Sequence, residues 1–231
     1  MNETKIQEGE IDSVLKHFDD HFKYSQFKCC PVRKNYSGVA ILHNSDTAKE
    51  VELAMPEDEE GRVTACEFDD FVLVSCYTPH SGVGELKRLD YRVETWDRAF
   101  SKYIQQLKTS YGKDVVICGD LNVIRHNSDI YNPKWVKEGR PGLTDRERDS
   151  FELLLEECDL NDSFRKLYPL RQLVYSHWTD RCGVARKNNW GSRMDYFLSS
   201  NSLGIVDCKY HAQIEGSDHC PVSLSLKPKQ A

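Results

Sequence analysis

The stretch Val115-Val116-Ile117-Cys118-Gly119-Asp120-Leu121-Asn122 constrains this chain more than any other, because an apolar run ends abruptly in a glycine, a carboxylate and an amide. A short run rich in β-branched residues and closed by glycine reads as a strand. Side chains alternate along a strand with a period of two, so Asp120 and Asn122 are expected to leave its end in the same direction. Whatever the fold, it must bring a strand to the rim of a sheet and deliver polar groups there.

The rest of the chain supplies partners for that strand. Val39 to Leu42, Val63 to Phe68 and Phe71 to Tyr77 are short, rich in β-branched or aromatic residues and bounded by turn formers, which predicts strands in consecutive antiparallel pairs. Tyr196-Phe197-Leu198, Ile205 to Tyr210 and the alternation Val222, Leu224, Leu226 predict the closing strands. Helical spacing appears in Ile11, Val14, Leu15 and Phe18, and over a longer span in Leu86, Leu89, Val93, Trp96, Phe100, Tyr103 and Leu107. A third helix is announced by the capping-box spacing of Thr144-Asp145-Arg146-Glu147 ahead of Phe151, Leu154, Leu155 and Cys158. Strands and packing helices mixed along one chain predict an α/β fold in layers with helices outside, and 231 residues suit a single domain over 1–231.

Composition removes several classes. No apolar stretch approaches the length needed to span a bilayer, so no membrane partner is expected. The N-terminus lacks the basic, apolar, small-residue succession of a secretory signal, so an intracellular address is expected, the nucleus first and the mitochondrion as the alternative. Nine cysteines are an odd number, dispersed apart from Cys29-Cys30, which suits neither a disulfide framework nor zinc-ligand spacing. Cys76 and Cys118 fall inside apolar strands, where a thiol behaves as a small hydrophobe. A net charge of -6 argues against coating nucleic acid through bulk attraction but leaves room for a focused basic groove. Glu57-Asp58-Glu59-Glu60 reads as solvated surface, whereas Arg181, Arg186, Lys187 and Arg193 gather just upstream of Asp195.

Chemistry ties the polar clusters together. Ser217-Asp218-His219-Cys220-Pro221 near the C-terminus and Glu3 near the start complement Asp120 and Asn122. Cleaving a phosphodiester needs an activated water, neutralised phosphoryl oxygens and help for the leaving alkoxide, and carboxylates with a histidine are the groups that supply these. With Asn2-Glu3-Thr4-Lys5, Tyr36-Ser37-Gly38-Val39, Gly61-Arg62-Val63, Tyr77-Thr78-Pro79, Asn132-Pro133-Lys134, Arg193-Met194-Asp195-Tyr196-Phe197 and Gly216 before Ser217, the chain resembles, nearly end to end, the exonuclease III-like apurinic/apyrimidinic endonucleases of the endonuclease/exonuclease/phosphatase superfamily.

That resemblance implies a four-layered α/β sandwich, two packed mixed β-sheets flanked by helices, and a monomer that cuts duplex DNA on the 5′ side of an abasic site in base excision repair. A 3′-phosphodiesterase or 3′-5′ exonuclease activity is implied beside it. It implies Mg2+ as cofactor, with Mn2+ as a substitute, on Glu3 and Asp218, since magnesium held by one or two carboxylates keeps waters and room for a phosphate. Asp120 is implied to orient or deprotonate the attacking water, Asn122 to hold nucleophile and phosphate in line, His219 to contact the phosphate and Asp195 to orient His219. Tyr77 and Asn132 match phosphate-positioning residues, and Trp178 and Met194 match the walls of the pocket that takes the extruded sugar. Taken singly, each has a plainer reading: Glu3 a frayed terminal acid, Asp120 a turn cap, Asp195 a partner of Arg193, Trp178 a core tryptophan.

The chain departs from the family's pattern in three places. His177 stands where a phenylalanine is often found, His80 where an asparagine commonly binds phosphate, and Val83 where some members carry an arginine. At the N-terminus the family's opening strand, helix and second strand, with a Trp-Asn signature and a metal-site aspartate, are expected ahead of Glu3, so the chain is read as N-terminally truncated. Missing strands would expose sheet edges and loosen metal and phosphate positioning. The alternatives are a catalytically impaired DNA-binding or regulatory module and a retroelement-type endonuclease.

Overall fold

The apolar run at 115–118 forms the middle of a six-stranded sheet in a computed structural model that describes residues 1–134, 139–179 and 184–228. In chain order the strands are β1 (Tyr24–Lys28), β2 (Val39–His43), β3 (Lys49–Glu50), β4 (Val63–Glu67), β5 (Phe71–Cys76), β6 (Asp114–Asp120), β7 (Leu160–Asp162), β8 (Asp195–Ser200), β9 (Ile205–Tyr210) and β10 (Val222–Leu226). The large sheet runs β3-β4-β5-β6-β8-β7, parallel only between β5 and β6 and therefore mixed. The helices are α1 (Ile11–Leu15), α2 (Arg98–Tyr111), α3 (Asp145–Glu157), α4 (Ser163–Leu167) and α5 (Val184–Lys187).

Val115, Val116 and Ile117 are all buried, so β6 is covered on both faces, as a continuous apolar strand must be. Val72, Val74, Val115, Ile117 and Leu198 from the sheet meet Trp96, Phe100, Ile104 and Leu107 of one helix and Phe151, Leu154 and Leu155 of α3 in one core. Each such side chain contributes roughly 1.5–3 kcal/mol by leaving water. The expected capping box is present: Thr144 Oγ1 accepts from the Glu147 N–H at 3.2 Å. Helix α2 ends at Gly112, whose φ of 59° closes the helix in the left-handed conformation that glycine adopts at no steric cost.

Mixed sheets flanked by helices make the α/β sandwich that the sequence implies, with four differences. The second layer is two separate antiparallel ribbons, β1-β2 against β4 and β5, and β9-β10 against β8. Val39–His43 accordingly pairs with β1, a strand too polar on its surface to be read from the sequence, and not with β4. Leu86 lies off the long helix with φ 50°, and the helical rod is π-wound over Tyr91–Asp97 before α2 begins. The acidic run is not simply solvated. Asp58 accepts the N–H groups of Arg62 and Val63, and Glu60 pairs with Arg62 and Arg88. Among the described residues no helix is long and apolar enough to cross a membrane.

Candidate active site

β6 ends where β8 begins, which sets Asp120 directly across from Asp195 in the antiparallel register. Beyond Asp120 the strand stops. Asn122 has φ 46°, so the period-two expectation fails by one step: its side chain is placed by a turn and not by strand alternation. The turn is held from both sides. Asn122 N–H donates to Asp120 Oδ1 at 2.8 Å, its Nδ2 donates to the Thr78 carbonyl at 2.8 Å, and the Thr78 N–H donates to the Asp120 carbonyl at 2.9 Å. Tyr77, at the end of β5, is thereby fixed beside Asp120.

The plainer reading of Asp195 is settled by its contacts. Its Oδ2 meets His219 Nδ1 at 2.7 Å, while Arg193 is engaged elsewhere, with Asp129 and Asp162. Burial works against charge on His219, but the hydrogen bond and charge of Asp195 outweigh it and lift the imidazole to about 9, so it is an imidazolium at neutral pH. Asp120 is pushed the other way. Burial and the facing Asp195 raise its carboxyl to about 7, against the pull of His219. Two carboxylates share one cation here.

Glu3 is exposed but not frayed. Residues 1–5 lie along 37–40, with the Met1 ammonium on the Ala40 carbonyl at 2.7 Å, Thr4 N–H on Gly38 at 3.0 Å and Lys5 N–H on Ser37 at 2.8 Å. Lys5 pairs with the Glu3 carboxylate at 3.2 Å, and the Glu3 charge reaches the Tyr77 phenol. Burial, with the charges of Glu3 and Asp120, raises the Tyr77 pKa, which keeps the phenol protonated as a donor. Gly119 is obligatory: at φ 139° it leaves room for the Cys76 carbonyl and the Asn2 side chain where a Cβ would collide.

His177 lies beside His219, their rings 4.7 Å apart, because Tyr175 to Trp178 bridges Ser192 on one side and Asp218-His219 on the other. Burial and the neighbouring His219 charge hold His177 down to about 4, hence neutral. His80 is also kept neutral by burial, and its Nδ1 accepts from the Gly82 N–H at 3.0 Å, which assigns the proton to Nε2. Met194 is half-buried against Ile124, Ile130 and Leu143. Asn132 is half-buried in its loop, its Oδ1 accepting from the Lys134 N–H. Val83 is 90% exposed.

Trp178 is 1% exposed, packed with Tyr175 and Cys220 and covered by the Arg186 guanidinium. The basic run divides: Arg193 is fully buried, Lys187 is exposed, Arg186 donates to the carbonyls of Ala212, Ile214 and Ser217, and Arg181 lies outside the described residues. Arg186 thus braces the loop that carries Asp218 and His219.

Three further residues brace the site without belonging to its motifs. Arg92, 3% exposed, pairs with Asp97 and donates to the carbonyls of Pro79 and Leu121 at 2.8 Å each, clamping the two turns that hold Tyr77 and Asn122. Ser176 Oγ accepts from the N–H groups of Met194 and Asp195 at 3.0 and 3.1 Å. Glu147, the capping residue, is fully buried and also accepts from Ser81 Oγ and the Gly142 N–H. An arginine within an amphipathic segment, Arg92 beside Val93, was the available hint.

As for a metal, Glu3 and Asp218 offer exposed carboxylates without a thiolate, a hard oxygen set of the kind Mg2+ takes. The raised Asp120 carboxyl is an independent sign of fit, since it marks negative charge that a divalent cation would relieve. Among the described residues, His177, Asp218 and His219 form the one group of three whose ligand atoms lie within 4.8 Å of one another.

Residues 1–219 match the Endonuclease/Exonuclease/phosphatase family. The chain is 39% identical over 230 residues to an exodeoxyribonuclease of Bacillus subtilis (strain 168), covering 98% of this chain and 86% of that protein. It is 42% identical over 230 residues to the DNA repair nuclease APEX1 of Danio rerio, covering 98% and 72%. Among solved structures, the AP endonuclease LMAP from Leishmania major superposes with a TM-score of 0.84 at 29% identity, covering 98% of this chain and 77% of that one.

Proposed function

The chain belongs to the Endonuclease/Exonuclease/phosphatase family as a nuclease, and on that premise we propose that it hydrolyses the phosphodiester 5′ to an abasic site in duplex DNA, leaving a 3′-hydroxyl. The observation that carries this reading is the pairing of a buried, raised carboxyl, Asp120, with an oriented imidazolium, His219 on Asp195, at one sheet rim. A base titrating near neutrality beside a fixed cation is the arrangement that water attack on a phosphate needs.

In this reading Asp120, once ionised, takes the proton of the attacking water, and the hydrogen bonds of Asn122 keep that turn in line. His219 offers its Nε2 proton to a phosphoryl oxygen, because Asp195 occupies Nδ1. The Tyr77 phenol donates to the same phosphate, and His80 presents a neutral N–H nearby. Glu3 and Asp218 would hold Mg2+, or Mn2+ in its place, and the ion would supply charge neutralisation for the phosphate. A related 3′-phosphodiesterase or exonuclease activity uses the same groups on a strand end, and the protein acts as a monomer where DNA is kept, in the nucleus or the mitochondrion.

The test is incision of a duplex carrying one abasic site, with Mg2+ and with chelator, resolved on a sequencing gel beside Asp120→Asn. Magnesium-dependent cutting immediately 5′ to the site, lost in the variant, is the expected result. A folded chain that leaves the duplex whole in Mg2+, or cuts it elsewhere with Asp120→Asn equally active, overturns the reading.

A further inference from the structure

We propose that His177, His219 and Asp218 form a binding site for a zinc-class divalent ion, and that an ion bound there switches hydrolysis off. The site is built from both sides. Backbone bonds join His177 to Ser192, Trp178 N–H to the Asp218 carbonyl at 2.9 Å, and Cys220 N–H to the Ser176 carbonyl at 2.8 Å, so the two imidazoles are held as cross-strand neighbours.

Each ring has one nitrogen already engaged. His219 Nδ1 is on Asp195 at 2.7 Å, and His177 Nδ1 faces Ser192 Oγ at 3.4 Å, which leaves the two Nε2 atoms to bind, that of His219 by releasing its proton to solvent as the ion enters. A carboxylate behind an imidazole is the outer-shell partner that metal-ligating histidines use to fix orientation and raise basicity. With ligand atoms no more than 4.8 Å apart, some point lies no farther than about 2.8 Å from any of the three, and closing to zinc's roughly 2.1 Å needs shifts under about 1 Å. The exposed Asp218 side chain supplies that freedom. Two imidazoles select zinc-class ions, while oxygen donors suit magnesium.

The inhibitory half rests on the proposed function. An ion on this trio withdraws Asp218 from the magnesium set and His219 Nε2 from the phosphate. The binding half does not depend on it, and His177 is the residue that makes the difference: with a non-ligating side chain there, only adjacent Asp218 and His219 remain.

The experiment has two arms, each on the full chain. In the first, Co2+ absorption and Zn2+ competition against a chromophoric chelator are measured for wild type, His177→Gln, His177→Phe and the surface control His17→Gln. We expect one site with imidazole and oxygen ligands and no thiolate charge-transfer band, weakened at least about tenfold in both His177 variants and unchanged in the control, since loss even of an outer-shell partner costs roughly 10–100-fold. Equal affinity in wild type and the folded His177→Gln chain, or a thiolate spectrum, overturns the site. In the second, Zn2+ is titrated into magnesium-saturated incision, each variant being compared with its own zinc-free rate. The half-inhibitory concentration should rise at least about tenfold in His177→Gln. Inhibition of equal potency in that variant overturns the switch, and if magnesium alone supports no incision the proposed function falls while the first arm still decides the site.

Discussion

Two clusters of buried charge meet at the start of β8, two residues apart in the chain, and hold their protons in opposite ways. In the first, Arg193 Nε and Nη2 reach the two oxygens of Asp129 at 2.9 and 3.0 Å, Nη2 also reaches Asp162 at 2.7 Å, and Arg165 adds a second guanidinium to Asp129. Burial alone would raise Asp129, yet the arginines outweigh it and hold the carboxyl below its usual range. In the second, Asp120 and Asp195 share one histidine, and Asp120 rises to about 7. The residue types are nearly the same. The difference lies in the cations: Arg193, Arg165 and Arg125 face Asp129 and Asp162 against one imidazolium for Asp120 and Asp195, which separates a cluster that holds the fold together from one left short of positive charge.

The comparison is broken most severely at Asp120. Asp120→Asn keeps the oxygen that accepts from Asn122 but removes the base, so the incision rate should fall by roughly 10²–10⁴-fold in single-turnover assays. The same change should stabilise the fold. A carboxyl whose folded pKa is raised contributes stability that is full below its unfolded value of about 3.9 and is lost as pH rises through about 7. The variant's melting temperature should therefore exceed wild type's at pH 8, and the gap should close toward pH 4. Equal melting curves at both pH values would mean that Asp120 does not carry an unpaired charge.

Arg193→Met tests the opposite cluster and should give the opposite sign. It leaves Asp129 and Asp162 buried with too few partners, a loss of about 3–5 kcal/mol. For a chain of this size that lowers the melting temperature by very roughly 6–20 °C, read by calorimetry. A smaller effect is expected at Asp195→Asn, which takes the carboxylate from His219. The imidazole should fall from about 9 toward about 6.5 in an NMR titration, and the alkaline limb of the incision profile, where imidazolium is lost, should move down with it. The acid limb, set by Asp120 near 7, should move down too, because a facing charge has gone.

How much of this was legible in the sequence follows the same division. Asp120, Asp195 and His219 were legible through the spaced motifs that carry the family resemblance, and the layered fold through the mix of strand and helix patterns along the chain. The closed cluster was not. Arg193 pairs with Asp129 and Asp162, 64 and 31 residues away, and nothing local distinguishes it from the exposed Lys187. β7 is three residues long and β1 carries no apolar alternation, so both are made by their neighbours.

Arg92 lies between the two kinds of cluster and provides the finest test. It is buried and paired with Asp97, like Arg193, but its remaining donors go to the carbonyls of Pro79 and Leu121 in the turns that carry the site. Arg92→Lys keeps the charge and the stem but replaces a planar fork with one ammonium, which cannot meet Asp97 and both turns at once. If its work is mainly structural, melting temperature and rate should fall together. If it positions Tyr77 against Asn122, kcat should drop about tenfold with KM nearly unchanged and melting within a few degrees of wild type, because displacements near an ångström at a reacting centre act on the transition state far more than on the fold. The second outcome is expected, since the charge pair survives the substitution while the clamp does not. It would show that a residue with the burial of the closed cluster serves the open one.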